Sequence, residues 1–269
     1  MAMSISIVDA FTDRAFAGNP AAVCLLEGDL DDAALQRIAA EMNLSETSFV
    51  YPTGDGWSLR WFTPTVEVPL CGHATLATAH RLWQLGLVGL DHPIHFVTRK
   101  SGGLICRRDG AGLITMDFPA DPPTPGDPPA ELIADMGIDR DAVVAAVKGK
   151  DKWLIELRDE SAVLEVSPDF PSMRRHHAPG VGITAQTDRA GFDAACRFFA
   201  PTHGIDEDPV TGSLHCLLGP YWANKLGKGR IESYQASKRG GAVSVTMRGD
   251  RCELAGRAVT VVEGELLAD

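Results

Sequence analysis

An internal repeat is the feature that most constrains how this chain can fold. The segment RWFTPTVEVPLCGHATLATAHRLW occupies residues 60–83, and RFFAPTHGIDEDPVTGSLHCLLGPYW occupies residues 197–222. The pattern Arg-x-Phe-x-Pro recurs at an offset of 137, and one inserted residue then brings PVTGSL onto CGHATL at an offset of 138. Such self-similarity is typical of chains built from repeated structural units. The repeat predicts two homologous halves, each containing a strand, a turn and a helix in that order.

The helix in each copy is apolar nearly all round. HATLATAHRLWQLG ends near Gly86 in the first copy, and GSLHCLLGPYWANKLG ends at Gly227 in the second. A helix without a polar face belongs at the centre of a domain, where strands cover it. Strands dominate the rest of the sequence and do not alternate with long helices, which disfavours a parallel, doubly wound sheet. The predicted fold class is α+β, with a mostly antiparallel strand barrel around a central helix in each half.

A proline-rich segment marks the predicted domain boundary. PADPPTPGDPPA, residues 119–130, contains six prolines, which remove backbone donors and forbid regular structure. The N-terminal half is therefore predicted to span residues 1–118 and the C-terminal half residues 131–269. Within the second half, KWLIELRDESAVLEV, residues 152–166, is predicted to form two strands.

Composition excludes several classes of partner. The chain has 36 acidic and 25 basic residues and a net charge of −11, which opposes binding to nucleic acid. No apolar run approaches the ~20 residues that cross a bilayer, and the N-terminus lacks the features of a signal peptide. We expect a cytoplasmic protein with a small-molecule ligand and no membrane partner. Six cysteines without a C-x-x-C pair argue against a zinc knuckle or a disulfide framework.

The two helix starts are the predicted ligand site. Unpaired N–H groups and the positive end of the dipole let a helix N-terminus hold a carboxylate without Lys or Arg. Small residues at these starts allow the backbone to approach a ligand, namely Gly72, Thr211, Gly212 and Ser213. The alternative is that they serve as ordinary helix caps.

Five motifs together resemble one known family. They are VDAFTDRAFAGNPAAV, MNLSETSFV, CGHATLATAH, GIDEDPVTGSLH and YQASKRGG, in this order along essentially the whole chain. They are similar to the PhzF-like family of phenazine-biosynthesis isomerases. The resemblance implies a fold like that of diaminopimelate epimerase, a homodimer and no cofactor.

The resemblance also implies a catalytic set of Glu46, His73 and Asp208. Glu46 matches the family's general acid/base, while His73 and Asp208 match groups that bind and orient the substrate. The alternative for Glu46 is a capping box with Asn43, although TSFVYP does not continue as a helix. The alternatives for the other two are a helix-start histidine and a solvated acidic turn. Asn19 matches a ligand contact, but before a proline it is equally a turn residue.

Other motif residues leave their roles open. Gln235, Ser237 and Arg239 match the family, and Arg239 either adds anion binding or pins a hairpin. His80 shares a helix face with His73, but no carboxylate or cysteine pattern lies nearby in sequence, so no metal site is predicted. The adjacent histidines 176 and 177 are predicted to lie at the surface.

Cys71 raises a second hypothesis for the reaction. Racemases of this fold use a thiol at the head of each central helix, and Cys71 occupies the first such position. Aligned by the repeat, the opposite residue is Pro209, which cannot carry a proton, and Cys216 is predicted to be a core residue. We therefore predict a cofactor-free isomerase that shifts a proton on a small carboxylate. A Cys71-dependent racemase, a catalytically idle binding protein and a role in phenazine synthesis itself stay open.

Overall fold

The computed structural model describes residues 2–175 and 180–267, so histidines 176 and 177 lie outside the described residues. The described residues form seventeen strands and six α-helices. The strands are β1 Ala2–Ala10, β2 Asn19–Leu25, β3 Glu46–Thr53, β4 Gly56–Phe62, β5 Glu67–Val68, β6 Ile94–Thr98, β7 Gly102–Arg108, β8 Ile114–Pro119, β9 Thr124–Pro125, β10 Val143–Lys148, β11 Lys152–Leu157, β12 Gly180–Gln186, β13 Ala194–Phe199, β14 Arg230–Gln235, β15 Gly241–Arg248, β16 Arg251–Gly256 and β17 Ala258–Leu267. The helices are α1 Asp32–Met42, α2 Gly72–Gln84, α3 Ala130–Asp135, α4 Glu160–Glu165, α5 Phe170–Arg175 and α6 Gly212–Leu226.

The chain divides into two compact units. The first contains the residues up to Asp117 together with those from Ala255 onward, and the second is the continuous segment Phe118–Leu254. The prediction that the C-terminal half extends over residues 131–269 is therefore wrong at its end. The physical reason is that β17 pairs antiparallel with β1 and completes the first unit.

In the first unit, antiparallel pairs alternate with two parallel ones. β1 pairs antiparallel with β2, and β2 pairs parallel with β3 after the chain crosses over through α1. β3 and β4 form an antiparallel pair, and the crossover through α2 then makes β6 parallel to β4. β6, β7 and β8 continue as an antiparallel series. Most pairs are antiparallel, as the scarcity of long helices predicted.

The second unit repeats the same succession of strand directions. β10 and β11 are antiparallel, and β12 lies parallel to β11 after α4 and α5. β12 and β13 are antiparallel, and the crossover through α6 makes β14 parallel to β13. β14 and β15 then form an antiparallel pair. Each unit thus places its longest helix on the second of two parallel crossovers.

The longest helix of the first unit is buried on most sides. Ten of the thirteen residues of α2 are buried, and the helix packs against β1, β2, β3 and β17. It ends at Gln84, and Gly86 follows in the left-handed region at φ 69°. The prediction of an apolar helix that ends near Gly86 is confirmed.

The longest helix of the second unit is α6, which packs against β11, β14 and β15. Inside this helix, Trp222 is fully buried, and its indole N–H donates to Thr184 Oγ1 at 3.0 Å. Gly227 caps the C-terminus at φ 67°, so the predicted end is confirmed. No helix in the described parts of the chain is long and apolar enough to cross a membrane.

The repeated Arg-x-Phe pattern makes the same contacts in each unit. Arg60 Nε donates to Glu67 Oε1 at 2.9 Å, and its guanidinium lies 5.0 Å from the ring centre of Phe62. Arg197 Nε donates to Glu207 Oε1 at 2.7 Å and lies 4.9 Å from the ring two residues later. A guanidinium over an aromatic face is an attractive arrangement. The repeated arginine and phenylalanine therefore have the same structural role in both units: each arginine contacts a glutamate and an aromatic ring near the end of its strand.

The proline-rich segment 119–130 is less irregular than predicted. Pro119 ends β8, Thr124–Pro125 pairs with the end of β10, and α3 begins at Ala130. A two-residue edge strand tolerates proline because it needs few backbone donors. In KWLIELRDESAVLEV only the first predicted strand forms, as β11, and the second part is the helix α4.

Candidate active site

Glu46 lies where helix α1 gives way to strand β3. Asn43 caps the C-terminus of α1 in the left-handed region at φ 50°, and Glu46 is the first residue of β3. The capping-box alternative is therefore wrong, because Asn43 ends one helix and begins no other. The Glu46 side chain is 14% exposed, so its carboxyl group is largely withdrawn from water without being sealed off.

His73 is the second residue of α2 and contacts three polar side chains. Its Nε2 lies 3.3 Å from Glu46 Oε2. Its Nδ1 lies 3.3 Å from Asn19 Nδ2 and 3.5 Å from Cys71 Sγ. Because the Asn19 amide nitrogen can only donate, Nδ1 accepts, and this bonding assigns the ring proton to Nε2, beside Glu46.

Burial determines the charge of the His73 ring. His73 is 5% exposed, and desolvation lowers its pKa to about 3. The imidazole is therefore neutral near neutral pH, and the contact with Glu46 joins a neutral ring to a carboxyl group. In this state His73 places its Nε2 next to Glu46, without hydrogen-bonding geometry in the structure, and supplies no positive charge.

Three potential proton carriers or ligands meet at the head of α2. One donor atom each from Glu46, Cys71 and His73 lie within 4.8 Å of one another. No metal site was predicted for His73 and His80 because no carboxylate or cysteine pattern lies nearby in sequence, yet the structure places a carboxylate and a thiol beside His73. Sequence spacing concealed the carboxylate because Glu46 belongs to a different element, β3, which the packing of α2 brings next to the helix start.

The heads of the two long helices correspond, but by a different alignment from the one the repeat suggested. Cys71 precedes α2 with φ −143° and ψ 114°, and Thr211 precedes α6 with φ −114° and ψ 102°. Gly72 and Gly212 are the first residues of these helices. The residue equivalent to Cys71 is thus Thr211, and the prediction of Pro209 is wrong. The correction leaves one thiol and one hydroxyl at the two heads.

Neither head residue uses its side chain to cap its own helix, within the described residues. The Thr211 hydroxyl donates to Asp208 Oδ2 and also receives a hydrogen bond from Gln235 Nε2 at 3.2 Å. The ordinary-cap alternative for Thr211 is therefore wrong. The side chains at this loop instead fix one another, which leaves the helix N–H groups of α6 to other acceptors.

Gln235 holds the loop before α6 in place. Fully buried at the end of β14, it accepts from the Thr211 backbone N–H at 2.9 Å and donates to the Asp208 carbonyl at 2.7 Å. Ser237 Oγ donates to the Pro209 carbonyl at 2.8 Å. These contacts give two residues of YQASKRGG a positioning role that sequence reasoning had not assigned.

The acidic run before α6 is not simply a solvated turn. Asp206 forms an exposed ion pair with Arg174, whereas Glu207 pairs with Arg197. Asp208 is half-buried; its backbone N–H donates to the Phe198 carbonyl at 3.0 Å. Each of the three acids therefore has a different partner. Asp208 is held beside the helix head by its backbone bond to Phe198 and by the Thr211 hydroxyl, which donates to its carboxylate.

Comparison with known proteins agrees with this arrangement. The family described as phenazine biosynthesis-like proteins, PhzC-PhzF, matches residues 8–264 of the chain. The chain belongs to this family. An uncharacterized isomerase of Halalkalibacterium halodurans is 46% identical over 268 residues, which cover 99% of each protein. This member of the PhzF family is therefore isomerase-like.

Solved structures show the same relationship. A PhzF-family protein of Enterococcus faecalis has a TM-score of 0.93 and 38% identity, with 100% of each chain covered. A hydroxyproline epimerase of Agrobacterium vitis has a TM-score of 0.61 and 9% identity, covering 98% of this chain and 92% of the epimerase. The second likeness shows the fold alone. The PhzF family and certain epimerases thus share an architecture of mixed α and β structure.

Proposed function

We propose that this PhzF-family member is a cofactor-independent isomerase that shifts a proton between two carbons of a small carboxylate substrate. Glu46 is the general acid/base. The observation that carries the proposal is the placement of the Glu46 carboxyl group 3.3 Å from the buried His73 ring, at the head of the central helix α2. A carboxyl group in a partly desolvated site is suited both to take and to return a proton.

The reaction needs no redox or group transfer. The Glu46 carboxylate takes a proton from a substrate carbon, and the electron pair of the broken C–H bond delocalises toward the substrate's unsaturated or carboxyl group. The protonated Glu46 then returns the proton to a second carbon, and the carboxylate is regenerated. His73 stays neutral throughout, and its Nε2 lies 3.3 Å from Glu46 Oε2, so a small shift would bring Nε2–H into hydrogen-bonding geometry with the carboxyl group.

Each long helix, within its own unit, offers a candidate binding position for a carboxylate at its head. The first N–H groups of α2 and α6 have no acceptor within the helix, and each helix places its positive dipole end there. Gly72, Gly212 and Ser213 lie at these positions, where a glycine lets a ligand approach the backbone closely. At the head of α6, Asp208 and Thr211 are the side chains proposed to bind polar groups of a ligand. At the head of α2, Asn19 fixes the His73 tautomer through Nδ1.

A duplicated architecture underlies the proposal. The two units share the same succession of parallel and antiparallel pairs, and the Arg-x-Phe contacts recur in both. These likenesses support two homologous halves, each with strands wrapped around a central helix. The resemblance to the family also implies a homodimer, which gel filtration with light scattering would test.

A thiol mechanism is the competing function. Cys71 stands at the head of α2, 3.5 Å from His73, as a catalytic thiol would. A two-base racemase needs a second group of similar strength, and the equivalent position holds the hydroxyl of Thr211. This difference favours the carboxylate. A catalytically idle binding protein differs from both in that its ligand exchanges no carbon-bound proton with solvent.

The test is to screen small carboxylates for protein-dependent uptake of deuterium from D₂O by NMR. Glu46→Gln should lower exchange by at least about 10²- to 10⁴-fold, because a positioned proton-transferring group contributes this range, while ligand binding survives. Glu41→Gln, an exposed glutamate on α1, is the matched control and should exchange normally. If Glu46→Gln keeps near-normal exchange while Cys71→Ala abolishes it, the thiol mechanism replaces the proposal.

A further inference from the structure

The cluster at the head of α2 contains three chemically different metal donors. Cys71 offers a sulfur, His73 a ring nitrogen and Glu46 a carboxylate oxygen, all within 4.8 Å of one another. Among the described residues this is the one grouping of three such side chains. Two of the donors are firmly buried, since Cys71 is 7% and His73 is 5% exposed. The arrangement therefore resembles a compact site more than an exposed acidic patch.

Either of two observed separations, but not both for the same ion, matches that of two ligands around tetrahedral zinc. Bond lengths of ~2.3 Å to sulfur and ~2.0 to 2.1 Å to nitrogen and oxygen place tetrahedral S and N ligands ~3.5 Å apart, and N and O ligands ~3.3 Å apart. Cys71 Sγ lies 3.5 Å from His73 Nδ1, and Glu46 Oε2 lies 3.3 Å from His73 Nε2. Only one ring nitrogen can bind a given ion, so the third donor must move by on the order of 1 Å.

Charge balance favours a divalent cation here. A Cys71 thiolate and a Glu46 carboxylate together carry two negative charges, and a neutral His73 adds none. A doubly charged ion bound by this set leaves no net charge in a largely buried site, which avoids the cost of burying an unpaired charge. The thiolate selects a thiophilic ion such as Zn²⁺ over Mg²⁺ or Ca²⁺, which prefer oxygen ligands.

We propose that Cys71, His73 and Glu46 form a binding site for Zn²⁺, and that occupancy of this site inhibits the enzyme. The thiol loses its proton to solvent as the Zn–S bond forms. Inhibition rests on the proposed function, because the ion occupies the carboxylate that would otherwise transfer the substrate proton. Zinc in this site is a regulator or inhibitor of the reaction.

Cobalt provides a direct probe of the ligands. Co²⁺ occupies zinc sites, and a cobalt–thiolate bond gives a charge-transfer absorption in the near ultraviolet. The purified full chain, freed of metal with a chelator, should take up one equivalent of Co²⁺ with this band, and Zn²⁺ should displace it. Cys71→Ser should abolish the band and weaken Zn²⁺ binding at least about 10-fold, and His73→Gln should weaken binding by a similar factor.

Cys196→Ser is the matched control. Cys196 is buried and lies 3.9 Å from His215 Nε2, so it also forms a cysteine–histidine pair, but without a carboxylate in a three-donor group. This variant should keep the cobalt band. Circular dichroism establishes that each variant is folded before binding is measured.

The outcomes separate the metal site from its regulatory role. A thiolate band that persists in Cys71→Ser, or an absence of stoichiometric uptake by the wild-type chain, overturns the site. Zn²⁺ that binds through Cys71 yet leaves deuterium exchange unchanged overturns the inhibitory role and counts against Glu46 as the acid/base. Loss of exchange that a chelator restores, in parallel with loss of the cobalt band, supports both.

Discussion

His215 should make the free energy of unfolding fall as the pH is lowered, and replacing this one residue should remove its share of that fall. The side chain is fully buried in α6, and desolvation lowers its pKa to about 4. Nδ1 donates to the Thr211 carbonyl at 2.7 Å, so Nε2 is the acceptor, and it receives the Ser233 hydroxyl at 3.1 Å. Protonation of Nε2 would require the Ser233 hydroxyl to rotate and accept, and it would place a charge in the core.

The sign and size of the effect follow from the two states. Between its ordinary pKa of 6.5 and about 4, His215 is protonated in the unfolded chain and neutral in the folded one. The unfolded chain then binds more protons, so the free energy of unfolding falls as pH is lowered through this window. At about 1.4 kcal/mol per pKa unit the full loss is about 3 kcal/mol, of which about 2 kcal/mol falls between about pH 7 and about pH 5.

The assay is urea unfolding of the wild-type chain and of His215→Gln at a series of pH values. The variant is expected to be less stable near neutral pH, because two hydrogen bonds are disturbed, but to lose about 2 kcal/mol less than the wild type between about pH 7 and about pH 5. His203→Gln, at an exposed histidine, should leave the wild-type profile unchanged. Parallel profiles for wild type and His215→Gln would refute the reasoning, since His215 would then titrate alike in both states.

Two further substitutions test local geometry. Gly18→Ala should destabilise the first unit by more than about 2 kcal/mol, because Gly18 has φ +65° and an added Cβ would lie 2.1 Å from the Ala10 carbonyl oxygen. Gly28→Ala is the control: it has open space around it, and it should change the free energy of unfolding by less than about 0.5 kcal/mol. Gln235→Leu should cost about 1 to 3 kcal/mol by leaving the buried Thr211 N–H without its acceptor, and it should also lower deuterium exchange; normal exchange would show that the loop is positioned by other contacts.

The two longest helices were predictable because their sequence signal is long and strong. α2 and α6 are apolar over more than three turns, and Gly227 adopts the left-handed conformation that ends a helix without strain. The segment just before Val166 has no comparable helical pattern in its sequence. Its six-residue helix α4 is too short for helical periodicity to appear, and the structure begins it through Asp159, whose side chain accepts from the Ala162 N–H.

The site was predictable in its residue types more than in its contacts. Family resemblance supplied Glu46 and His73, but their 3.3 Å separation depends on packing between a strand and a helix that no spacing rule describes. The equivalence of Cys71 and Thr211 was missed because the sequence alignment placed Leu76 opposite Leu214 and Thr75 opposite Ser213. The backbone instead matches the two helices at their first glycines. Gln235 had no sequence signal beyond membership in a motif, since its role lies in bonds to another loop.

The pairing of β17 with β1 affects the order in which the protein can assemble during synthesis. The second unit is a continuous stretch, so its residues up to Leu254 are all synthesised before β17. The first unit begins earlier, but one edge of β1 has no partner until β17 has emerged. In the finished protein Ala2 of β1 lies opposite Leu267 of β17, and Met3 lies opposite Leu266. Synthesis from the N-terminus therefore makes every residue of the second unit available before the first unit is complete. A released chain truncated just before β17 would have the whole sequence of the second unit but would leave one edge of β1 unpaired.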